Sequence, residues 1–185
     1  MKRIKYLLIL TIAILGFSTI DVSAQRYTDK NSVSPQTIER KVYKELIKLN
    51  HYGVFDNLKY KVDGNTVTLY GKVVQPITKK DAERTTRRIA GVERVISNIE
   101  VLPLSNFDDS IRLRTLRTLQ NGGSLYRYFL GASPSVRIIV DRGHVELEGF
   151  VATRGDYDLM NILANSVSNV FSVNNNLVVG KELVR

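Results

Sequence analysis

The side chains that could carry out chemistry are few and scattered. The chain holds two histidines, His51 and His144, and no cysteine. Without thiols there is no disulfide, thiolate nucleophile, Cys-ligated zinc or acylated N-terminal cysteine. His51 stands at the end of a helical stripe and His144 inside a hairpin. Neither has a second ligand at metal spacing, so both read as surface histidines. There is no G-x-S-x-G elbow and no G-x-x-x-x-G-K-[ST] loop to cradle phosphate. Asp63 and Asp141 recur in tight turns, where Asp bonds its own backbone. Asp108-Asp109 precedes a helix and reads as capping with a favourable dipole contact. These residues predict neither an enzyme nor a bound metal or cofactor. What remains is charge: 27 Lys and Arg against 18 Asp and Glu give a formal +9. Such an excess favours nucleic acid, anionic lipid or acidic glycan as partner.

The cations gather in two places. Lys80, Arg84, Arg87 and Arg88 lie on one side of a helix that opens at Pro76, opposite Ala82, Thr85, Thr86 and Ile89. That is either a solvated helix face, supported by Glu83 and Arg87 at i,i+4, or a secondary basic patch. The second place is a helix whose stripe Ile111, Thr115 and Leu119 supplies the core side. Leu113 is surplus to that stripe and lies beside Arg114 and Arg117, with Arg112 near. Leu125, Tyr126, Arg127, Tyr128 and Phe129 follow in a loop. Apolar and aromatic groups interleaved with arginine suit a membrane interface: guanidinium to phosphate, rings at headgroup depth, leucine a little deeper. The residues that could bind lipid are thus Arg112, Leu113, Arg114, Arg117, Tyr126, Arg127, Tyr128 and Phe129. The same groups could equally pack against the other half of the chain.

The elements that position these groups come from a duplication. Val62–Val73 and Val140–Val151 share V-D-x-x-x-V-x-L-x-G-x-V, a hairpin whose outgoing strand alternates apolar and polar residues. The register holds at an offset of 78, and ten of 44 positions from Leu58 to Val101 repeat. Gly71 and Gly149 sit within strands, which marks a bulge or a close backbone approach. Ahead of each hairpin lies a helix: Ser34-Pro35 opens one with the stripe Ile38, Val42, Leu46, matched at an offset of 73 by Ile111, Thr115, Leu119. The difference between the offsets puts five extra residues between Gln120 and Val136. Loops are where function is commonly added. After each hairpin a further helix ends at Gly91 or Asn169, the two residue types that best tolerate a left-handed helix end. Leu159 and Ile162 of the later copy are apolar beyond the needs of the stripe and suggest a domain interface or an extra core layer.

The first residues read as an export signal. Lys2, Arg3 and Lys5 precede an apolar run from Tyr6 to Phe17, and Val22-Ser23-Ala24 supplies a cleavage site with Gln25 next. Cleavage would remove three cations and one anion, leaving +7. Export takes intracellular nucleic acid off the partner list.

The doubled framework, followed in each copy by G/N-V-x-x-V-x-x-x-I/L-x-V, resembles the BON domain, named for bacterial OsmY and nodulation proteins. The resemblance implies an α+β fold of two tandem αββαβ repeats, each with two helices packed on a three-stranded mixed sheet. It divides the chain into a signal peptide (1–24), a flexible leader (25–33), a first BON-like domain (34–103), a linker (104–108), a second such domain (109–180) and a tail (181–185). It further implies a non-enzymatic role in the bacterial envelope, often binding phospholipid surfaces. With the basic excess, the surplus Leu113 and the aromatic insertion, the expectation is a periplasmic protein that binds anionic phospholipid mainly through its second domain, in support of envelope integrity or stress tolerance. The expected state is a monomer peripheral to a membrane, with envelope proteins as further partners. The alternative is a periplasmic protein-interaction or chaperone-like module using Leu113, Leu159, Ile162 or the open sheet face. A weaker third reading is a glycan or peptidoglycan surface binder through Lys80 to Arg88.

Overall fold

The computed structural model describes residues 33–131 and 133–180. The proposed signal peptide, nearly all of the leader and the tail lie outside the described residues. The first repeat runs α1 (Pro35–Leu46), β1 (Asn57–Asp63), β2 (Thr66–Val73), α2 (Pro76–Arg87), β3 (Arg94–Val101). The second runs α3 (Asn106–Gln120), a 3-10 segment (Gly123–Phe129), β4 (Val136–Asp141), β5 (His144–Val151), α4 (Arg154–Asn165), β6 (Ser172–Val179). Each sheet has its central strand antiparallel to the strand before it and parallel to the strand after the helix, in the orders β1-β2-β3 and β4-β5-β6. The fold class is therefore α+β, two helices on a three-stranded mixed sheet, made twice.

The period-2 pattern decides which side chains go inside. Val67, Leu69 and Val73 are fully buried against Ile38, Val42 and Ala82, and Val145, Leu147 and Val151 are buried against Ile111, Leu119 and Met160. Each such side chain contributes about 1.5–3 kcal/mol of burial. Ser34 caps α1 through Thr37 N–H at 3.3 Å, with Pro35 in the first turn. Val33, assigned to the leader from sequence, packs against the first core. Gly91 (φ +97°) and Asn169 (φ +69°) are both left-handed, but they do not end the helices. α2 closes on Arg88 and α4 on Ser166. The two left-handed residues sit in a following turn, closed by Val92 N–H to the Ile89 carbonyl (3.0 Å) and by Val170 N–H to the Val167 carbonyl (3.4 Å). The hairpin turns differ. Gly64 is at φ +57° in the first, whereas Arg142 (+50°) and Gly143 (+81°) are both left-handed in the second. Both turns suit a tight hairpin, and the second forces a non-glycine residue into a costly region.

The strand glycines mark a close backbone approach. At Gly71 a Cβ would stand 2.0 Å from the Asn57 carbonyl oxygen, and at Gly149 2.0 Å from that of Ser135. Both have φ +117°.

The repeats pack on one another through a short piece of the first. The segment Gly53–Asp56 sends Val54 and Phe55 into the second core, and the Val54 carbonyl accepts from Ile138 N–H at 2.8 Å. Arg137 donates to the Gly53 carbonyl at 2.7 Å and lies 4.3 Å over the Tyr52 ring. Asp56 braces the segment by accepting from Gly53 N–H (2.8 Å) and Val74 N–H (2.7 Å). Burial pushes its carboxyl above the usual range, outweighing those two bonds and the charges of Arg137 and Arg112. The open faces of the two sheets add Lys59–Glu148 at 3.0 Å and Lys72–Glu146 at 2.8 Å.

Candidate functional site

α3 begins earlier than expected, because Ser105 rather than an aspartate is its cap, accepting from Asp108 N–H at 3.1 Å. Asp108 is buried and serves the neighbouring hairpin: its carboxylate accepts from Arg142 N–H (3.1 Å) and Gly143 N–H (2.8 Å). The capping role read for it from sequence is thereby corrected. Arg112 is also corrected. It is 2% exposed, donating to Asp109 at 2.5 Å and to the Val140 carbonyl at 2.6 Å, and so closes the edge of β4 instead of facing solvent. A helix leaves a residue one step round from the core stripe to be claimed by whatever strand passes, and here β4 claims it.

On the outward side of α3, Leu113 is 46% exposed, Arg117 is exposed and Arg114 half-buried. Leu113 also rims a hollow of about 360 Å³ with Phe55, Val74 and Gln75 of the first repeat. It is neither swallowed between the repeats nor remote from their junction.

The inserted loop is largely a structural plug. Tyr128 and Phe129 are 7% and 8% exposed and belong to the second core, as does Leu125. The expectation that these rings reach a membrane is corrected for Tyr128 and Phe129. Tyr128 hydroxyl donates to Asp156 at 2.8 Å and accepts from Ala152 N–H at 2.8 Å. Arg127 reaches the same carboxylate at 2.7 Å, and Thr153 hydroxyl does so at 2.7 Å while capping α4. Burial alone would push the Asp156 carboxyl up, but the bonds from Thr153 and Tyr128 and the Arg127 charge together hold it below the usual range. Arg127 remains exposed yet committed to this pair, and Tyr126, 53% exposed, is the loop's outward ring. Of the eight residues proposed for lipid, Leu113, Arg117 and Tyr126 face out without such a tie, Arg114 in part.

The secondary patch keeps Lys80, Arg84, Arg87 and Arg88 exposed along α2. Arg84 pairs with Asp81 at 2.7 Å and Arg87 with Glu83 at 3.7 Å, which offsets half of the patch's charge. Leu159 and Ile162 fill neither an interface nor a core layer: Ile162 is 64% exposed. One cluster escaped the sequence reading. Phe107 and Phe171, with centroids 5.9 Å apart, lie over Gly143, and His144 meets Phe171 edge-on at 5.9 Å. Phe171 is 67% exposed. The signal was available, since the offset of 78 sets Phe171 against Glu93 and His144 against Thr66. Among the described residues no group of His, Asp or Glu could hold a metal, and no helix is long and apolar enough to cross a membrane.

Two solved structures of CdsD, a structural protein of the type III secretion system of Chlamydia trachomatis, are similar to this chain. One, its C-terminal domain, has 11% identity and a TM-score of 0.30, covering 80% of this chain and 66% of that one, just under two thirds of its length. The other has 9% identity and a TM-score of 0.31, covering 77% and 91%. No curated protein matches the chain. The family model of the BON domain matches twice, over residues 34–103 and 118–181, the second match opening inside α3. With two such matches laid over a helix-and-sheet unit built twice, the chain belongs to the BON domain family.

Proposed function

We propose that the protein is a non-enzymatic envelope protein whose second repeat attaches reversibly to anionic phospholipid surfaces. The BON domain is a non-catalytic family typical of envelope proteins, which supports the general placement. The observation that carries the finer reading is Leu113, an exposed leucine on a helix face beside Arg117 and Arg114 that the core does not need. In contact with a bilayer, Arg117 and Arg114 meet lipid phosphates, Tyr126 lies at headgroup depth and Leu113 enters slightly deeper. Each basic residue near an anionic surface contributes about 1 kcal/mol, so binding is weak and falls with salt. Export through cleavage after Ala24 and a role in envelope integrity or stress tolerance belong to the same reading.

Vesicle co-sedimentation tests it. Binding to vesicles rich in phosphatidylglycerol should exceed binding to neutral phosphatidylcholine vesicles. The double substitution Arg114→Glu/Arg117→Glu should lower it more than about tenfold, and Leu113→Asp should lower it as well. Equal binding to both vesicles, or binding indifferent to these changes, removes the proposal.

A second reading, a protein-interaction or chaperone-like module, is favoured by the exposed Ile162 and by the Phe107–Phe171 pair. A stoichiometric protein partner lost on Ile162→Asp or Phe171→Ser, with no vesicle binding, would select it.

A further inference from the structure

A groove of about 580 Å³ runs between the repeats, clear of Leu113, Arg117 and Tyr126. One wall is the end of α1 with β1, including Tyr43, Ile47 and Tyr60; the other is the open face of the second sheet. There Glu148 neighbours Asn176 and Phe150 neighbours Val178 across β5 and β6. Between the walls Glu148 accepts from Lys59 at 3.0 Å through one oxygen and from Asn176 at 3.0 Å through the other. Arg137, almost wholly buried beside the groove, bridges its two sides, donating to the Gly53 carbonyl of one repeat at 2.7 Å and to the Ser133 hydroxyl of the other at 3.2 Å. Its volume lies within the span of ligand sites, about 300–1,000 Å³, and its walls combine aromatic rings with a few convergent polar groups.

We propose that this groove is a saccharide site, taking a short uncharged β-linked oligosaccharide. A sugar ring offers an apolar C–H face, which suits tyrosine and phenylalanine, and a rim of hydroxyls that both donate and accept. The Lys59–Glu148–Asn176 row supplies a charged donor, a charged acceptor and an amide that does both. Charge argues against an ionic ligand. The charged residues of the lining are Lys59, Arg137 and Glu148, and each already has a partner inside the protein. An extended peptide fits less well, since it would bind by adding to a strand edge. On β1 the Leu58 N–H already donates to Tyr52 hydroxyl at 3.2 Å, and the Tyr60 carbonyl accepts from Tyr70 hydroxyl at 3.3 Å. A lipid surface would be read by cations on a convex face, not by a paired row inside a groove.

NMR titration of the full chain with chitohexaose and, separately, cellohexaose decides the matter. At least one sugar should give saturable shifts centred on Lys59, Glu148, Phe150 and Asn176. Glu148→Gln should weaken binding about tenfold or more, the size of a lost hydrogen bond to a charged group, and Phe150→Ala about as much through lost apolar contact. Glu146→Gln breaks the other bridge between the sheets but does not line the groove, so it should leave affinity within about twofold. The proposal is overturned if neither sugar saturates, if Glu148→Gln and Phe150→Ala bind normally, or if Glu146→Gln weakens binding as much as they do. Should Glu148→Gln fail to fold, Phe150→Ala and Asn176→Ala carry the decision.

Discussion

The two repeats solve one problem in two ways, at the junction where the chain leaves its first helix and later meets the start of its second. In the first repeat α2 itself is tied by one neutral hydrogen bond, Thr78 hydroxyl to the His51 carbonyl at 3.2 Å with Thr78 fully buried, while Asp56 holds Val74 N–H at 2.7 Å just ahead of the helix. At the position 78 residues on stands Asp156, whose carboxylate gathers Thr153, Tyr128 and Arg127. The five additional residues let the second repeat fold a 3-10 turn back onto its own core. The first repeat instead sends the corresponding Val54 and Phe55 outward, into its neighbour. An insertion here converts a segment that bridges domains into one that seals a single domain. The open sheet faces diverge in the same spirit. Tyr70 and Thr68 of the first copy are replaced by Glu148 and Glu146 in the second, and these meet Lys59 and Lys72 across the interface. Duplication alone would have set like surfaces against each other; the acidic substitutions make them complementary.

The comparison can be broken most forcefully at what the repeats share. Gly71→Ala and Gly149→Ala each drive a Cβ to 2.0 Å from a carbonyl oxygen at φ +117°. Each should cost about 3 kcal/mol or more in urea denaturation, from strain and displaced backbone together. If one were tolerated and the other not, the copies would not be one scaffold. A sharper probe is the junction. Asp156→Ala strands the Tyr128 and Thr153 hydroxyls and should cost about 2–3 kcal/mol. Thr78→Ala removes one neutral bond and should cost about 1 kcal/mol. Equal losses would erase the distinction between the Asp156 cluster and the lone Thr78 bond.

The smallest effect, and the most discriminating, is the response to acid. The Asp156 carboxyl is held below its unfolded value of 3.8, so its contribution is complete above that pH and is lost as pH falls through the depressed value. The Asp56 carboxyl is raised above 3.8. The native state therefore binds its proton more readily than the unfolded chain, and stability from this group increases as pH falls through the raised value toward 3.8. Melting temperatures followed from neutral pH to about 3 should show Asp156→Asn flattening the acid-side loss and Asp56→Asn removing the opposing gain. Slopes unchanged by both substitutions would refute the assignment of these two groups.

Legibility followed the range of the forces involved. The hairpins could be read because their alternation is local and a one-residue slip would turn every core valine outward. Gly91 and Asn169 could be read as left-handed positions because few residue types tolerate positive φ, but the turn they occupy beyond the caps Arg88 and Ser166 is not marked in the sequence. The surface reading fared unevenly. Leu113 is surplus to its stripe and faces out, whereas Arg112, one residue earlier and just as free by local pattern, is buried. Nothing near Arg112 in sequence announces the Val140 carbonyl it reaches, 28 residues away. The Phe107–Phe171 pair has no local signature, because its members lie on different elements and meet only over the second hairpin.

Periodicity, capping residues and the repeated twelve-residue pattern by themselves determined the αββαβ order, its duplication and which strand faces carry the core. Only the tertiary structure decided that Tyr128 and Phe129 face inward, that Val54 and Phe55 cross into the second core, and that a groove lies between the sheets. The physical reason is that an aromatic ring or an arginine has the same local propensities whether its far end meets water or protein. What it meets depends on backbone groups that only the folded chain brings within reach.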